Sequence, residues 1–203
     1  MEQFIALLGW LLVVYIVGSV PFGLLLAKMG RDIDPRQYGS KNTGATNVAR
    51  TCGRRYGIAT LLLDLFKGFL PMLVAMAISS SAILLTLTGL AALLGHMYSA
   101  FLDGRGGKGV ATTIGIFLAV TPGPLFWSLL LCALMIWAVG YVSLGSLALV
   151  ASLPLFILLA GKFGFLILSL IVCFLVFAKH RENILRLARG EENTWRKGSP
   201  EAA

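Results

Sequence analysis

Long apolar runs separated by short polar stretches make up most of the chain. Most of them approach the roughly 20 residues that a helix needs to cross a bilayer. The run at 110–121 is shorter and reaches across if its helix begins inside the glycine-rich stretch before it. The pattern predicts an all-α, polytopic integral membrane protein with about seven transmembrane helices, or five or six if "TPGP" and "YVSLGS" are breaks within spans. The predicted spans are 4–27, 57–78, 82–100, 110–121, 124–141, 143–160 and 163–178.

The composition favours the same class. The chain has 203 residues, of which 58% are hydrophobic and 13% charged, whereas soluble domains average about 25% charged residues. No polar stretch is long enough for a separate soluble domain, so we expect one membrane-embedded domain over 1–203. The first run lacks a basic flank and a cleavage site, and we interpret it as a retained helix. The three cysteines are scattered, and no metal or cofactor site is predicted.

Basic residues collect in three connecting segments: 28–57, the glycine-rich stretch around Arg105 and Lys108, and the tail 179–203. The positive-inside rule places such segments in the cytoplasm, which predicts an outside N-terminus and a cytoplasmic C-terminus. The net charge of +8 then reflects topology and attraction to anionic membrane lipid. It does not indicate nucleic-acid binding.

The first candidate for chemistry is the segment "YGSKNTGATNVAR", from Tyr38 to Arg50. It is dense in hydroxyl, amide and glycine residues, including Ser40, Asn42 and Asn47. Such a string offers side-chain donors and backbone N–H groups to a ligand. An ordinary polar loop with turn residues is the alternative, but long loops of this kind are more often functional.

The second candidate is "GRGGKGV", in which Gly106, Gly107 and Gly109 surround Lys108 directly before a helix expected near Val110. It lacks the strand that a dinucleotide-binding motif requires, and it does not fit a Walker A loop. Glycines nevertheless let N–H groups converge on an anion, and a helix N-terminus attracts negative charge. We therefore predict an anion site; a flexible turn with topology-setting cations is the alternative.

The third candidate is the tail segment "KHRENILRLARGEE" after the last span, where His180 and Asn183 share one helical face. A purely interfacial amphipathic helix explains this segment equally well. Within the second span, Asp64 and Lys67 are three residues apart and are predicted to pair in a structural role. His96 is expected to be a satisfied interfacial histidine, with a donor in a ligand site as the alternative.

Together these segments resemble one family, the bacterial acyl-phosphate:glycerol-3-phosphate acyltransferases (PlsY). That family carries a serine–asparagine–glycine segment ending in GATNVxR, a GGKGVAT loop and a KHRxNIxRLxxGxE tail. Here they read "GSKNTGATNVAR", "GGKGVAT" and "KHRENILRLARGEE". "GSVPFG" and "LDLFKG" also look familial, and the match covers nearly the whole chain. A departure is Lys41, where members of the family often have Gly.

The resemblance implies transfer of an acyl group from acyl phosphate to glycerol 3-phosphate, giving lysophosphatidic acid and phosphate at the cytoplasmic face of the bacterial plasma (inner) membrane. It implies a seven-helix fold, no cofactor, and no need for acyl-CoA or acyl carrier protein as donor. Whether His180 or a substrate phosphate takes the hydroxyl proton stays open. The residues that we expect to act in catalysis are Ser40, Arg50, Lys108, His180 and Asn183, and those expected to bind substrate or phosphate are Asn42, Asn47, Gly106, Gly107 and Gly109. Of these, Asn42 and Asn47 are expected to orient loops or hydroxyls.

Two other classes of protein share some of these features. A transporter of anionic lipids also needs basic loops and intramembrane charges, but no internal repeat is evident, and the polar motifs lie on one predicted face. A head-group transferase of the CDP-alcohol type needs clustered aspartates for metal ions, and "LDGR" offers a lone one.

Overall fold

The computed structural model describes residues 1–195, which are helical with connecting loops and contain no strand. The chain divides into two compact units, one from Met1 to Val120 and a second that begins at Thr121. One domain over the whole chain stays a prediction. The first unit contains α1 (Glu2–Ser19), α2 (Phe22–Arg31), α3 (Ala45–Cys52), α4 (Arg54–Ile78), α5 (Ala82–Met97) and α6 (Val110–Val120).

The predicted span at 4–27 is two helices, because the chain breaks at Val20 and Pro21 between α1 and α2. The helix ladder is interrupted here, so carbonyl oxygens at the end of α1 need other donors. Ser99 Oγ donates to the carbonyl of Ser19 at 2.6 Å, and Lys67 Nζ donates to that of Val20 at 3.0 Å. The break is therefore satisfied by side chains from distant parts of the first unit.

Helices of the first unit approach one another closely through glycine. A β-carbon at Gly95 of α5 would overlap the carbonyl oxygen of Tyr15 in α1, and one at Gly115 of α6 would overlap that of Leu65 in α4. Small residues at such crossings let backbones pack tightly where lipid, rather than water, surrounds the helices.

Helix α6 begins at Val110 and has 11 residues. At about 1.5 Å per residue it is roughly 16 Å long, about half of a hydrocarbon core. The condition under which this run would cross the bilayer alone, a start inside the glycine-rich stretch, is therefore not met. The stretch is irregular up to Gly109 because it folds against the end of α5.

The second unit contains α7 (Pro122–Val139), α8 (Val142–Leu159), a 3₁₀ turn (Phe163–Phe165), α9 (Leu166–Lys179) and α10 (Arg181–Ala188). The segment that ends with α9 and the short α10 meet at a bend of 61°. Gly140 ends α7 in the left-handed conformation, and its carbonyl oxygen accepts hydrogen bonds from Thr194 Oγ1 and Trp195 N, both at 3.0 Å. The tail thus returns to the start of α8.

Helix length and composition give the candidate membrane spans. Over residues 1–195, four segments meet the length and hydropathy requirements for a span. The bent pair Phe163–Lys179 and Arg181–Ala188 is a fifth if its two helices form a single span. The apolar helices Ala82–Met97 and Val110–Val120 are shorter. The polytopic all-α class is confirmed, while the count of seven and the orientation stay predictions. Within the described part of the chain, the four segments that are long and apolar enough to cross a bilayer alone are Glu2–Arg31, Arg54–Ile78, Pro122–Val139 and Val142–Leu159.

Candidate active site

Asn47 organises the loop that leads from α2 into α3. Its Oδ1 accepts a hydrogen bond from the backbone N–H of Ser40 at 2.8 Å. Its Nδ2 donates to the carbonyl oxygens of Pro35, Tyr38 and Asn42 at 2.7, 3.1 and 2.9 Å. An amide nitrogen carries two hydrogens, so these carbonyls leave none for a substrate phosphate. Asn47 therefore orients its own loop, one of the two roles expected for it, rather than contacting a phosphate through this nitrogen.

The other residues predicted on this loop flank Asn47. Asn42 Oδ1 accepts from the N–H of Gly44 at 2.7 Å, which forms an Asx turn directly before α3. Ser40 and Arg50 are half-buried, and Arg50 lies in the last turn of α3. Contact between a phosphate and Ser40, Asn42 or Arg50 stays a prediction.

The glycine-rich stretch folds back on the end of α5. The N–H of Gly106 donates to the carbonyl of Met97 at 3.2 Å, and that of Gly107 to the carbonyl of His96 at 3.0 Å. A β-carbon at Gly106 would overlap the carbonyl oxygen of His96, and one at Gly107 would overlap its imidazole ring. The prediction that these two N–H groups point at a phosphate is wrong, because helix carbonyls already accept them. Both positions need glycine for close packing instead.

Gly109 and Lys108 lie at the start of α6. Gly109 has a φ of +89°, a conformation that favours glycine, and its carbonyl accepts from Thr113 N at 2.8 Å. The helix begins at Val110 as predicted, so its positive end lies beside the half-buried Lys108. A helix N-terminus and an adjacent ammonium group are thus the features of this stretch that suit an anion.

A cleft of about 350 Å³ in the first unit joins two of the three candidate stretches. Asn42 and Thr43 line it from the first loop, and Arg105 and Gly106 line it from the glycine-rich stretch. The two stretches are far apart in sequence, and the fold places them against the same cleft. That His180 and Asn183 join them stays a prediction.

A buried ionic cluster lies behind the glycine-rich stretch. Lys67 Nζ is 2.8 Å from Asp64 Oδ1, and these side chains are 3% and 4% exposed, which confirms the predicted pair. His96 Nδ1 is 3.6 Å from the same oxygen. His96 was expected to be interfacial and is instead buried, since the ring packs between Asp64 and Gly107. The sequence signal that points to the contact between His96 and Asp64 is the presence of an ionisable residue in each of two apolar runs.

His180 and Asn183 are both buried in the second unit. His180 Nδ1 is 2.8 Å from the carbonyl oxygen of Val176. A carbonyl oxygen only accepts, so Nδ1 carries the proton, and in the neutral ring Nε2 carries the lone pair. Asn183 Nδ2 donates to Glu192 Oε1 at 2.7 Å, which fixes the orientation of its amide.

Glu192 is a residue of this region for which the sequence suggested no role. Its carboxylate is 4% exposed and accepts from Asn183 Nδ2, from Arg186 Nε at 2.7 Å and from Ser143 Oγ at 3.0 Å. The Glu182–Arg186 pair expected from helical spacing is longer, at 4.0 Å, with Glu182 exposed. Glu192 therefore ties α10 to α8, and the sequence signal is an acidic residue directly after a basic helix.

We expect Glu192→Ala to lower the free energy of unfolding by about 2 kcal/mol, because it leaves a half-buried guanidinium and a buried amide without their carboxylate. Thermal unfolding of the purified protein in detergent, followed by tryptophan fluorescence, measures this loss. The matched control is Glu191→Ala, which removes the exposed neighbouring carboxylate and is expected to stay within about 0.5 kcal/mol of the parent. Equal midpoints for the two variants would contradict the assignment.

A family model described as "Glycerol-3-phosphate acyltransferase" matches residues 8–190. A protein of that name from Nitratidesulfovibrio vulgaris is 53% identical over 96% of this chain, which spans 59% of that relative's length. Another from Lawsonia intracellularis is 48% identical over 92% of this chain and 94% of its own.

Two solved structures resemble this fold. The first is a crystal structure of PlsY (YgiH), an integral membrane glycerol 3-phosphate acyltransferase, in its glycerol 3-phosphate form. It aligns with a TM-score of 0.89 and 40% identity over 94% of this chain and 96% of that one. The lysophosphatidic acid form aligns with a TM-score of 0.86 at 40% identity, over 93% of this chain and 95% of that one.

Proposed function

This chain belongs to the glycerol-3-phosphate acyltransferase family, and from that premise we propose that it acylates the 1-hydroxyl of glycerol 3-phosphate with an acyl phosphate as donor. The products are 1-acyl-glycerol 3-phosphate, which is lysophosphatidic acid, and inorganic phosphate. This is the first acylation step of phospholipid synthesis.

The reaction forms one bond and breaks one. The hydroxyl oxygen of glycerol 3-phosphate attacks the acyl carbon, and the bond from that carbon to the phosphate oxygen breaks. The phosphate leaves with the bonding electron pair, and the hydroxyl proton passes to a base. An acyl phosphate is already activated by its leaving group, so positioning and charge stabilisation are the main tasks of the protein.

The sequence favours an acyl donor that is already activated by its phosphate leaving group. Soluble-face acyltransferases of this pathway use a His-x-x-x-x-Asp pair, and this chain has none: His96 precedes Asp103 by seven positions, and no aspartate follows His180. The acyl chain fits the apolar surfaces of the spans, while the phosphates require cations at the polar loops.

Each side chain of the proposed site has a role that suits its chemistry. Lys108, beside the positive end of α6, neutralises a phosphate. Ser40 and Arg50 bind the other phosphate, which an arginine fork contacts through two hydrogen bonds. Asn183 orients the attacking hydroxyl. The proton goes either to His180 Nε2 or to a substrate phosphate, since the second pKa of a phosphate monoester is about 6.

We place the site at the cytoplasmic face of the bacterial plasma (inner) membrane. The basic segments that carry Arg50 and Lys108, together with the tail after α9, favour this side by the positive-inside rule. The observation that best supports the proposal is the cleft that both Asn42 and Gly106 line, because it joins two polar stretches that are far apart in sequence.

The donor is tested with the pure protein in detergent. We expect lysophosphatidic acid from labelled glycerol 3-phosphate and palmitoyl phosphate, and none from palmitoyl-CoA or palmitoyl-acyl carrier protein. Detergent micelles have no second compartment, so a transporter would form no product in any arm. Product from palmitoyl-CoA at a comparable rate would contradict the proposed donor. A Lys108→Ala preparation controls for contaminating acyltransferases.

A further inference from the structure

Thr112, in the first turn of α6, is bonded to α4. Its Oγ1 donates to the carbonyl oxygen of Asp64 at 3.0 Å, and the side chain is fully buried. The two helices come close together here, since a β-carbon at Gly68 of α4 would overlap the carbonyl oxygen of Thr112. The start of α6 is therefore fixed against the part of α4 that carries Asp64.

The backbone directly before Lys108 is fixed from the other side, by α5. The N–H of Gly107 donates to the carbonyl oxygen of His96 at 3.0 Å. A β-carbon on Gly107 would overlap the imidazole of His96, so the ring packs directly against this glycine. His96 Nδ1 lies in turn 3.6 Å from Asp64 Oδ1. His96 thus connects Asp64 to the residue that precedes Lys108.

Lys108 therefore lies between two chains of contacts that both end at Asp64. One runs through Gly107 and His96 to the carboxylate, and the other runs through Thr112 to the carbonyl oxygen. A phosphate is repelled by the carboxylate of Asp64. The hydroxyl of Thr112 has one hydrogen, which the carbonyl of Asp64 already accepts. Asp64 and Thr112 are thus suited to fixing a position rather than to contacting a phosphate.

We propose that Thr112 and His96 are positioning residues, which set the place of Lys108 through their shared partner Asp64. A preorganised charge stabilises a reaction only where it is held in place, and a misplacement of about 1 Å can cost up to about 100-fold in rate. The expected effect on turnover rests on the proposed function, because Lys108 is assigned there to a phosphate. The expected effect on phosphate binding does not require acyl transfer.

Thr112→Val is the decisive substitution, because it removes the hydroxyl and keeps the shape of the side chain. We expect kcat for acyl transfer to fall about ten-fold, since Lys108 is displaced rather than lost. Thr112→Ser keeps the hydroxyl and is expected to recover most of the rate. Initial rates with palmitoyl phosphate and labelled glycerol 3-phosphate measure both changes.

Thr113→Val is the matched control on the same helix. Thr113 is as deeply buried as Thr112, but within the described residues its Oγ1 has no hydrogen-bond partner. Its replacement is expected to leave kcat within about two-fold of the parent, because no bond is lost. Equal losses of kcat in Thr112→Val and Thr113→Val would overturn the proposal, since the loss would then be independent of the bond to Asp64.

The role of His96 is tested by comparing His96→Asn with His96→Leu. An asparagine amide keeps a donor for the carboxylate of Asp64, whereas leucine fills the space without a polar atom. We expect His96→Asn to keep several times more activity than His96→Leu. Equal kcat in the two variants would refute the positioning role of His96.

Phosphate affinity tests the positioning of Lys108 without the reaction. The probe is inorganic phosphate, in isothermal titration calorimetry of the full chain in neutral detergent. We expect Thr112→Val to weaken phosphate binding about ten-fold when Lys108 is present, and by less than about two-fold in the Lys108→Ala background, where the cation to be positioned is gone. Equal losses in the two backgrounds would indicate a purely structural role of Thr112 and contradict the proposal.

The two readouts separate the positioning from the reaction. If the parent protein forms no lysophosphatidic acid but Thr112→Val weakens phosphate binding only when Lys108 is present, the proposed reaction is refuted and the positioning is supported. If the parent protein is active but Thr112→Val changes neither kcat nor phosphate affinity, the positioning alone is refuted.

Discussion

Lys108→Ala is expected to lower kcat for acyl transfer by about 10²–10³-fold, the effect of losing one preorganised electrostatic donor. Lys108 precedes the first turn of α6, where its charge adds to the positive end of that helix. In the proposed site, the developing negative charge on the leaving phosphate then loses the positive charge that we assign to Lys108. Initial rates with palmitoyl phosphate and labelled glycerol 3-phosphate measure the change.

Two variants bracket this prediction. Lys28→Ala removes an exposed lysine of α2 and is expected to leave kcat within about two-fold of the parent, as for an ordinary surface change. Lys108→Arg keeps the charge in a different shape and is expected to recover part of the rate. A Lys108→Ala enzyme with parental kcat would contradict the role of this residue.

The same assay distinguishes His180 from a substrate phosphate as the base that accepts the hydroxyl proton. If a substrate phosphate takes the proton, His180→Gln loses less activity than Lys108→Ala or Ser40→Ala, because His180 then only positions the hydroxyl. An equal loss for His180→Gln, with a shifted pH profile, would instead assign the proton to Nε2 of this histidine.

The sequence predicted most helices to within a few residues, because each is a long apolar run between polar stretches. It did not predict the break at Val20 and Pro21, since proline is tolerated inside transmembrane helices. What satisfies the interrupted backbone is Lys67 and Ser99, which reach it from other helices or loops. Local pattern carries no information about such distant partners.

At the candidate site, too, the local sequence pattern did not reveal the hydrogen-bond partners of individual groups. The glycine-rich stretch was correctly predicted to lie directly before a helix at Val110, but its residue types did not reveal which N–H groups are already used. Gly106 and Gly107 donate to the carbonyls at the end of α5, and Asn47 braces its own loop. A polar residue in a pattern marks a site more reliably than it marks the atom that contacts a ligand.

Asp64→Ala is expected to cause the largest loss of stability, about 3–5 kcal/mol, because it leaves Lys67 as a buried charge without its carboxylate. The Lys67 side chain is 3% exposed within a membrane-spanning helix. For a chain of this size the loss corresponds to a fall in thermal midpoint on the order of 10 °C. Thermal unfolding in detergent measures it. Since the ring of His96 packs between Asp64 and Gly107, acyl transfer is expected to fall as well.

The matched control for this pair is Glu182→Ala. Glu182 and Arg186 form an ion pair at similar helical spacing, but the glutamate is 86% exposed and the distance is 4.0 Å, so we expect no measurable shift in midpoint. The double variant Asp64→Ala/Lys67→Met removes both charges and is expected to recover much of the midpoint, because the cost comes from the unpaired ammonium. If the double variant were no more stable than Asp64→Ala, loss of packing rather than of charge pairing would explain the effect.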